Sequence, residues 1–223
     1  MLNEFSFFLG NNNLNPFGIL AYHGRPPKLT VTHFFINLSA KIYKLTIVTH
    51  SYLEVVTMQR QSIIVDIETS GLSPLNDRIV AIGVKKGKEG MIITDKDEGN
   101  LLAQFWGYLK EQGHYRLISF NGYQFDIPFI IIRSFKHNVI VEQISQKTID
   151  LRLILANGNK YAKGTLDDYA KLMGIKSKLE GMGGSDIPIL WEEGKIAEIK
   201  AYLQEDLRIT SKIFERCEEI GLI

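Results

Sequence analysis

The chain has 223 residues, 45% of them hydrophobic and 23% charged, with a formal net charge of +1. This is the balance of a globular domain with a real core, and it weighs neither for nor against nucleic acid, because a small basic groove fits inside a neutral total. A single cysteine, Cys217, excludes an intrachain disulfide and a cysteine-built zinc site.

A reducing cytoplasm fits that cysteine count. No apolar run approaches the roughly 18 residues of a bilayer span. The N-terminus has neither the basic start and apolar core of a secretory signal nor the arginine content of a transit peptide.

Composition changes near residue 57. Residues 1–57 carry four basic side chains (Arg25, Lys28, Lys41, Lys44) and two acidic ones (Glu4, Glu54), against 22 and 23 in the remaining 166. The segment has no aspartate and is Asn-rich at Asn11, Asn12, Asn13 and Asn15. Residues 1–57 therefore read as an N-terminal extension ahead of a natural start at Met58, with 58–223 as the functional domain. The other reading is a β-rich appendage, since LTVTHFFINL and YKLTIVTH have strand-like composition.

From Met58 the pattern sharpens. SIIVDI (62–67), RIVAIGVKK (78–86) and GMIIT (90–94) predict three short strands. Asn76-Asp77 and Gly87 to Gly90 supply the turns. A helix follows, with Leu101, Phe105 and Leu109 on one stripe and Gly113 past its end. YRLISF (115–120) predicts a fourth strand, leading through Asn121-Gly122 into a helix near 126–137. Thr165 and Asp168 have capping-box spacing for a helix that stops at Gly174. Residues 176–194 read as a Gly-rich connector, and the last helix runs from about Ile196 to Ile220. Three antiparallel strands followed by alternating helices and strands imply an α/β domain, a mixed sheet covered by helices.

Asp66 and Glu68, two apart on a strand, share one face of the sheet. Adjacent acids repel, and burial adds to the cost. A bound divalent cation relieves both, and hard carboxylate oxygens suit Mg2+ or Mn2+. Alone, Asp-x-Glu more often marks a solvated strand edge. Here it ends the apolar run SIIV, and Thr69-Ser70-Gly71-Leu72 then turns the chain sharply. Asp126, in SFNGYQFDIPF, sits at or near a helix start, where an N-cap aspartate is the plain alternative. Tyr202 and Asp206, four apart in AYLQED, share one face of the last helix. In isolation they read as a tyrosine over core and a solvated acid.

Taken together, DIETSGL, NGYQFD and YLQED stand in the order of the three motifs of the DEDD exonuclease superfamily, and the Tyr-x-x-x-Asp spacing resembles its tyrosine-bearing branch. The wording is similar to the proofreading 3′–5′ exonuclease domains of family B DNA polymerases. GTLDDYAKLMGIKSK also looks like that family's connecting helix. The resemblance covers about residues 60–220. It implies a ribonuclease H-like fold with a mixed five-stranded sheet, three antiparallel strands then parallel ones. It implies hydrolysis of single-stranded DNA 3′ ends with two divalent cations, Mg2+ or Mn2+, roughly 4 Å apart. On it, Asp66 bridges the metals, Glu68 and Asp206 complete the hydrolytic one, and Asp126 holds the second, partly through water. Tyr202 orients the nucleophilic water, since a phenol of pKa about 10 is a poor base at neutral pH.

The same resemblance makes Leu72 a wedge between the last two bases, with an ordinary core leucine as the alternative. It also makes Thr69 a contact to the terminal sugar, and Asn121 and Tyr123 further substrate-binding residues. Tyr123 and Phe125 are candidate stacking surfaces, Phe125 the more core-like. Lys176 and Lys178 lie in the connector, within reach of phosphates or simply solvated. Asp150, Asp167 and Asp168 read as structural. His114 and His137 fall near helix ends, where a surface or dipole role is the simple choice. One departure stands out: many relatives have a polar residue four before the second aspartate, and here it is Gly122. After Asp206 only 17 residues remain, so any proofreading or DNA repair role would be in trans to a polymerase or repair complex. The competing expectations are an RNA-trimming exoribonuclease and a catalytically inactive nucleic-acid-binding domain.

Overall fold

The computed structural model describes residues 30–38, 41–49, 61–144, 147–161, 163–176 and 182–223; for the first two spans only the backbone path is given. Lys178, the Asn-rich stretch and Met58 lie outside the described residues. The chain divides into two units, Met1–Thr57 and Met58–Ile223. In the first, β1 (Thr30–Leu38) pairs antiparallel with β2 (Lys41–Thr49). Within the described residues, both segments expected to be strand-like carry these strands.

The second unit is built on a five-stranded sheet of β3 (Gln61–Thr69), β4 (Ile79–Lys86), β5 (Glu89–Ile93), β6 (Tyr115–Ser119) and β7 (Thr148–Asp150). Spatial order is β5-β4-β3-β6-β7. β4 pairs antiparallel with both β3 and β5, and β6 and β7 add in parallel beyond β3. This is the ribonuclease H-like arrangement expected from the motifs.

The helices are α1 (Glu98–Glu111), α2 (Asp126–Lys136), α3 (Leu151–Leu155), α4 (Leu166–Leu172), α5 (Ile187–Glu192) and α6 (Ile196–Glu219). Alternation along β3 sorts its side chains between two layers. Ile63, Val65 and Ile67 pack in one core with Leu101, Phe105, Phe129 and Ile130 of α1 and α2. Ile64 faces the other way, into a core with Leu207, Ile213 and Phe214 of α6. Asp66 and Glu68 keep step with Ile64, so the acids lie on the α6 side.

The connector expected over 176–194 is only partly a loop, since it contains α5 after a short 3-10 turn at Gly184–Asp186. Pro188 sits in the first turn of α5, where its missing N–H costs nothing. Six residues are too few to show a period. For the same reason β7 and α3 were not legible. Thr165 caps α4 through the expected capping box with Asp168. His137 is more than a surface residue: it ends α2, and its Nε2 lies 2.8 Å from the buried Glu98 carboxylate.

Candidate active site

The β3–β4 ladder slips by one residue at the site. Asp66 pairs with Gly83 and Glu68 with Ala81, but Thr69 pairs with Ile79, which leaves Val80 as a bulge. Consecutive Val80 and Ala81 therefore both join the core beneath α5 and α6. Bulges of this kind commonly re-aim side chains beside active sites. The strand partners of both acids are the smallest residues available. At Gly83 an added Cβ would lie 2.7 Å from Leu207 Cδ1 and 2.9 Å from Leu203 Cγ. Glycine here lets α6 settle onto the sheet, bringing Asp206 to the acids of β3.

Asp66, Glu68 and Asp206 each present a carboxylate oxygen within 4.8 Å of the others. Among the described residues they form the one such group of acids, histidines or cysteines. Glu68 and Asp206 are buried, and Asp66 is half-buried. Burial pushes the Asp66 carboxyl well above the usual carboxylate range, and the charges of Asp126, Asp206 and Glu68 push it further. Hard oxygen donors crowded together and strained by mutual repulsion match what a divalent cation requires.

Asp126 does not cap its helix. It is the first residue of α2, the N-cap is Phe125, and there is no side-chain cap bond. Instead its Oδ1 accepts from the Ile67 amide at 3.1 Å, between the two acids of β3, and its carboxyl hydrogen-bonds Asp66. Burial raises its pKa to about 7, although hydrogen bonds from Asp66 and the backbone pull the other way. The sequence alternative, a plain N-cap, is thereby set aside.

Tyr202 is buried with Val80, Ala81, Ile187, Leu190, Ile199 and Leu203. Its hydroxyl points towards Gly184, where an added Cβ would lie 3.8 Å away.

The loop between β3 and β4 is drawn tight. Thr69 Oγ1 donates to the Gly71 carbonyl at 2.6 Å, Ser73 N donates to Asp77 Oδ2 at 2.8 Å, and Arg78 N donates to Ser70 Oγ at 3.0 Å. A Cβ at Gly71 would strike the Asp77 carboxylate. Leu72 stands 84% exposed at its tip, which excludes the core-leucine alternative.

Asn121 and Tyr123 are held from a distance. Both backbone amides donate to the Asp150 carboxylate, at 3.0 and 3.1 Å, while Asp150 also caps α3. Asn121 sits in the left-handed region at φ 66°, which asparagine tolerates, and its Oδ1 accepts from Arg152 at 2.8 Å. The Tyr123 hydroxyl donates to the Thr148 carbonyl at 2.8 Å, leaving the ring 39% exposed. Phe125 packs against the core and Phe129, as its surroundings in sequence suggested. At Gly122 an added Cβ would come within 2.6 Å of Ser119 Cβ. The departure from a polar residue at that position is thus a packing requirement in this chain.

Sequence reasoning missed two supporting residues, Gly83 and Ala81, which carry no chemical signal. Asp150 is structural, as expected, but its reach across 27 to 29 residues to the Asn121 and Tyr123 amides was not foreseen. Lys176 is exposed, and its carbonyl accepts from Arg208 at 3.1 Å. Among the described residues no helix is long and apolar enough to cross a membrane.

Three comparisons bear on this geometry. Residues 63–218 match the family described as the RNase_H superfamily. An uncharacterized protein of Methanocaldococcus jannaschii is 39% identical over 171 residues, which is 72% of this chain and 97% of that protein. A solved structure of the family B DNA polymerase from the hyperthermophilic archaeon Pyrobaculum calidifontis superposes with a TM-score of 0.64 at 18% identity. That match covers 87% of this chain and 29% of the polymerase, and at this identity it speaks for the fold alone.

Proposed function

The chain belongs to the RNase H superfamily, and from that premise we propose that it is a metal-dependent 3′–5′ exonuclease acting on single-stranded DNA ends. The observation that carries this is the convergence of Asp66, Glu68 and Asp206 within 4.8 Å on a nuclease fold. Tyr202 lies one helical turn before Asp206, and Asp126 is hydrogen-bonded to Asp66. The motifs DIETSGL, NGYQFD and YLQED support the tyrosine branch of the DEDD exonucleases.

On this reading Asp66, Glu68, Asp126 and Asp206 would hold the divalent cations, Mg2+ or Mn2+. When bound, such cations stabilise charge on the attacking and leaving oxygens and lower the pKa of the attacking water. The chain's own residues do the rest. Tyr202 offers its hydroxyl from a packed ring to orient the water. Thr69 and the tight loop behind it receive the terminal sugar. Leu72 projects from that loop to separate the last two bases. Tyr123 offers a ring face for stacking, worth roughly 1–3 kcal/mol per base. A single-strand end suits this site because unstacked bases can reach both aromatic and wedge. No candidate residue lies in 1–57, so residues 58–223 carry the activity. A polymerase or repair complex is the fitting partner for proofreading in trans.

The test is hydrolysis of a single strand labelled at its 5′ end, beside duplex DNA and RNA, in Mg2+ and Mn2+. A ladder of shortening products that vanishes with chelator is expected. Cutting of circular single strands, or activity that survives a strong chelator, overturns the reading. Faster trimming of RNA than DNA would make it an exoribonuclease.

A further inference from the structure

Two hollows, of about 800 and 730 Å3, lie side by side between α6 and the β4–β5 hairpin and share Lys85, Lys88 and Arg208. Six cations line them: Lys85, Lys86, Lys88, Lys200, Arg208 and Lys212. The three carboxylates along the same walls are already ion-paired, Glu205 with Arg208, Glu215 with Lys212 and Glu218 with Arg116. Among the described residues Lys85, Lys86, Lys88 and Lys200 meet no carboxylate. Lys88 and Lys200 are exposed. Residues 58–223 carry 22 basic and 23 acidic side chains, so this is charge segregated to one flank rather than a basic protein.

The spacing has a direction. Lys200, Gln204, Arg208 and Lys212 recur every fourth residue of α6, a stripe of about 18 Å at 1.5 Å per residue. Tyr202 and Asp206 lie on the other flank of the helix. Lys85 and Lys88 face the stripe from either side of the turn at Gly87. The groove presents some apolar surface from Ile64, Met91 and Ile92 but lacks the clustered Trp and Tyr anchors on which binding to a protein partner concentrates. Its one aromatic ring among the described residues, Phe214, already carries the Arg116 guanidinium 5.3 Å over its face. Beside the ion-paired Arg208 and Lys212, the ammonium groups of Lys85, Lys88 and Lys200 meet no carboxylate among the described residues, and such cations suit a phosphodiester backbone, because phosphate contacts depend on charge and not on base identity.

We propose that this groove is a second nucleic-acid contact, gripping the backbone of the strand at a distance from the catalytic acids. The proposal rests on the nuclease reading for its purpose, which is to retain a long strand while its end is processed. Because groove and acids lie on opposite flanks of α6, only a strand long enough to pass around the helix engages both. Length dependence is therefore built in.

The test uses the full chain with Lys85, Lys88 and Lys200 all changed to Glu, and a milder variant with the same three changed to Gln. Binding of a fluorescent 30-nucleotide single strand is measured in chelator from 50 to 200 mM salt. Hydrolysis of a trinucleotide and of the 30-mer is measured with metal. The Glu variant should lose on the order of 10–100-fold in 30-mer affinity, and its log–log salt slope should shrink by about 2, three contacts at ~0.7 each. The Gln variant should lose less, and trinucleotide hydrolysis should stay at the wild-type rate. Unchanged 30-mer affinity and salt slope in variants that melt like wild type overturn the proposal. If wild type hydrolyses neither substrate, the nuclease reading fails, while binding in chelator still decides the groove.

Discussion

Gly83 stands directly across the β3–β4 ladder from Asp66, and the side chain it lacks is the space into which Leu203 and Leu207 of α6 descend. Those leucines each follow a candidate site residue, Tyr202 and Asp206. The depth at which α6 rests on the sheet and the reach of Asp206 towards Asp66 are therefore one variable.

Gly83→Ala should show this. A methyl 2.7 Å from Leu207 overpacks the contact, at a cost of roughly 1–3 kcal/mol. As α6 lifts, Asp206 recedes. Divalent-cation affinity by calorimetry should fall roughly 10–100-fold, the range for loss of a supporting contact. A variant that melts lower but binds cation as tightly as wild type would show that α6 depth does not set the site.

The acid cluster predicts an unusual pH dependence for the metal-free protein. Burial, then neighbouring carboxylates, raises the Asp66 pKa, and burial raises that of Asp126 to about 7. Both exceed the unfolded value of about 3.9, so the folded chain holds more protons. Their contribution to stability is complete below that unfolded value and is lost as pH rises through the folded ones. Glu98 runs the other way. Burial would raise its pKa, but Arg133, the Ile79 amide and His137 together lower it, so its contribution is lost in acid, below its ordinary 4.5. In chelator, melting temperature should therefore fall between about pH 5 and 7 in wild type. In Asp66→Asn that slope should flatten, with a higher melting temperature at pH 8 and no hydrolysis. Parallel melting curves for the two proteins would refute the assignment.

What the sequence disclosed follows from the range of each signal. The strand SIIVDI was legible because its apolar run and two acids are local, and it extends by one residue at its start and two at its end into β3. The final helix was legible because 24 residues hold several turns of a regular apolar stripe. The role of Asp126 needed three dimensions, since an N-cap and an acid bonded to the Ile67 amide look alike in DIPF. Gly83, and Asp150 in its hold on the Asn121 and Tyr123 amides, act through contacts that no local pattern encodes.

Arg133 and Glu98 form an ion pair at 2.6 Å with side chains 3% and 4% exposed. Glu98 also accepts from the Ile79 amide at 2.7 Å, and Arg133 reaches the Pro74 carbonyl at 3.3 Å, in the loop that carries Leu72. Arg133→Met leaves a buried carboxylate without its main partner and should cost about 3–5 kcal/mol. Adding Glu98→Gln should restore part of that loss, because no charge is then stranded. Chemical denaturation of the single and double variants measures both. A double variant less stable than Arg133→Met would contradict a stranded-charge origin.

Tyr202 offers the sharpest separation of chemistry from packing. Its ring is 4% exposed among apolar neighbours, so Tyr202→Phe preserves the packed surface and removes one hydroxyl. If that hydroxyl orients the nucleophilic water, the rate should fall on the order of 10–10³-fold, with cation affinity and melting temperature unchanged. Tyr202→His supplies a smaller polar ring to the same position. It should keep partial activity, with a pH–rate profile moved towards imidazole titration near ~6.5. If Tyr202 serves only the core, the pattern inverts: Phe is silent in the rate assay, and His lowers the melting temperature by opening space among Ile187, Leu190 and Leu203. Gly184→Ala is the control for crowding. Its methyl would sit 3.8 Å from the hydroxyl, an ordinary contact, so it should leave both rate and melting temperature near wild type. A rate loss in Phe that matches the loss in Gly184→Ala would assign the effect to packing around the ring and not to the hydrogen bond.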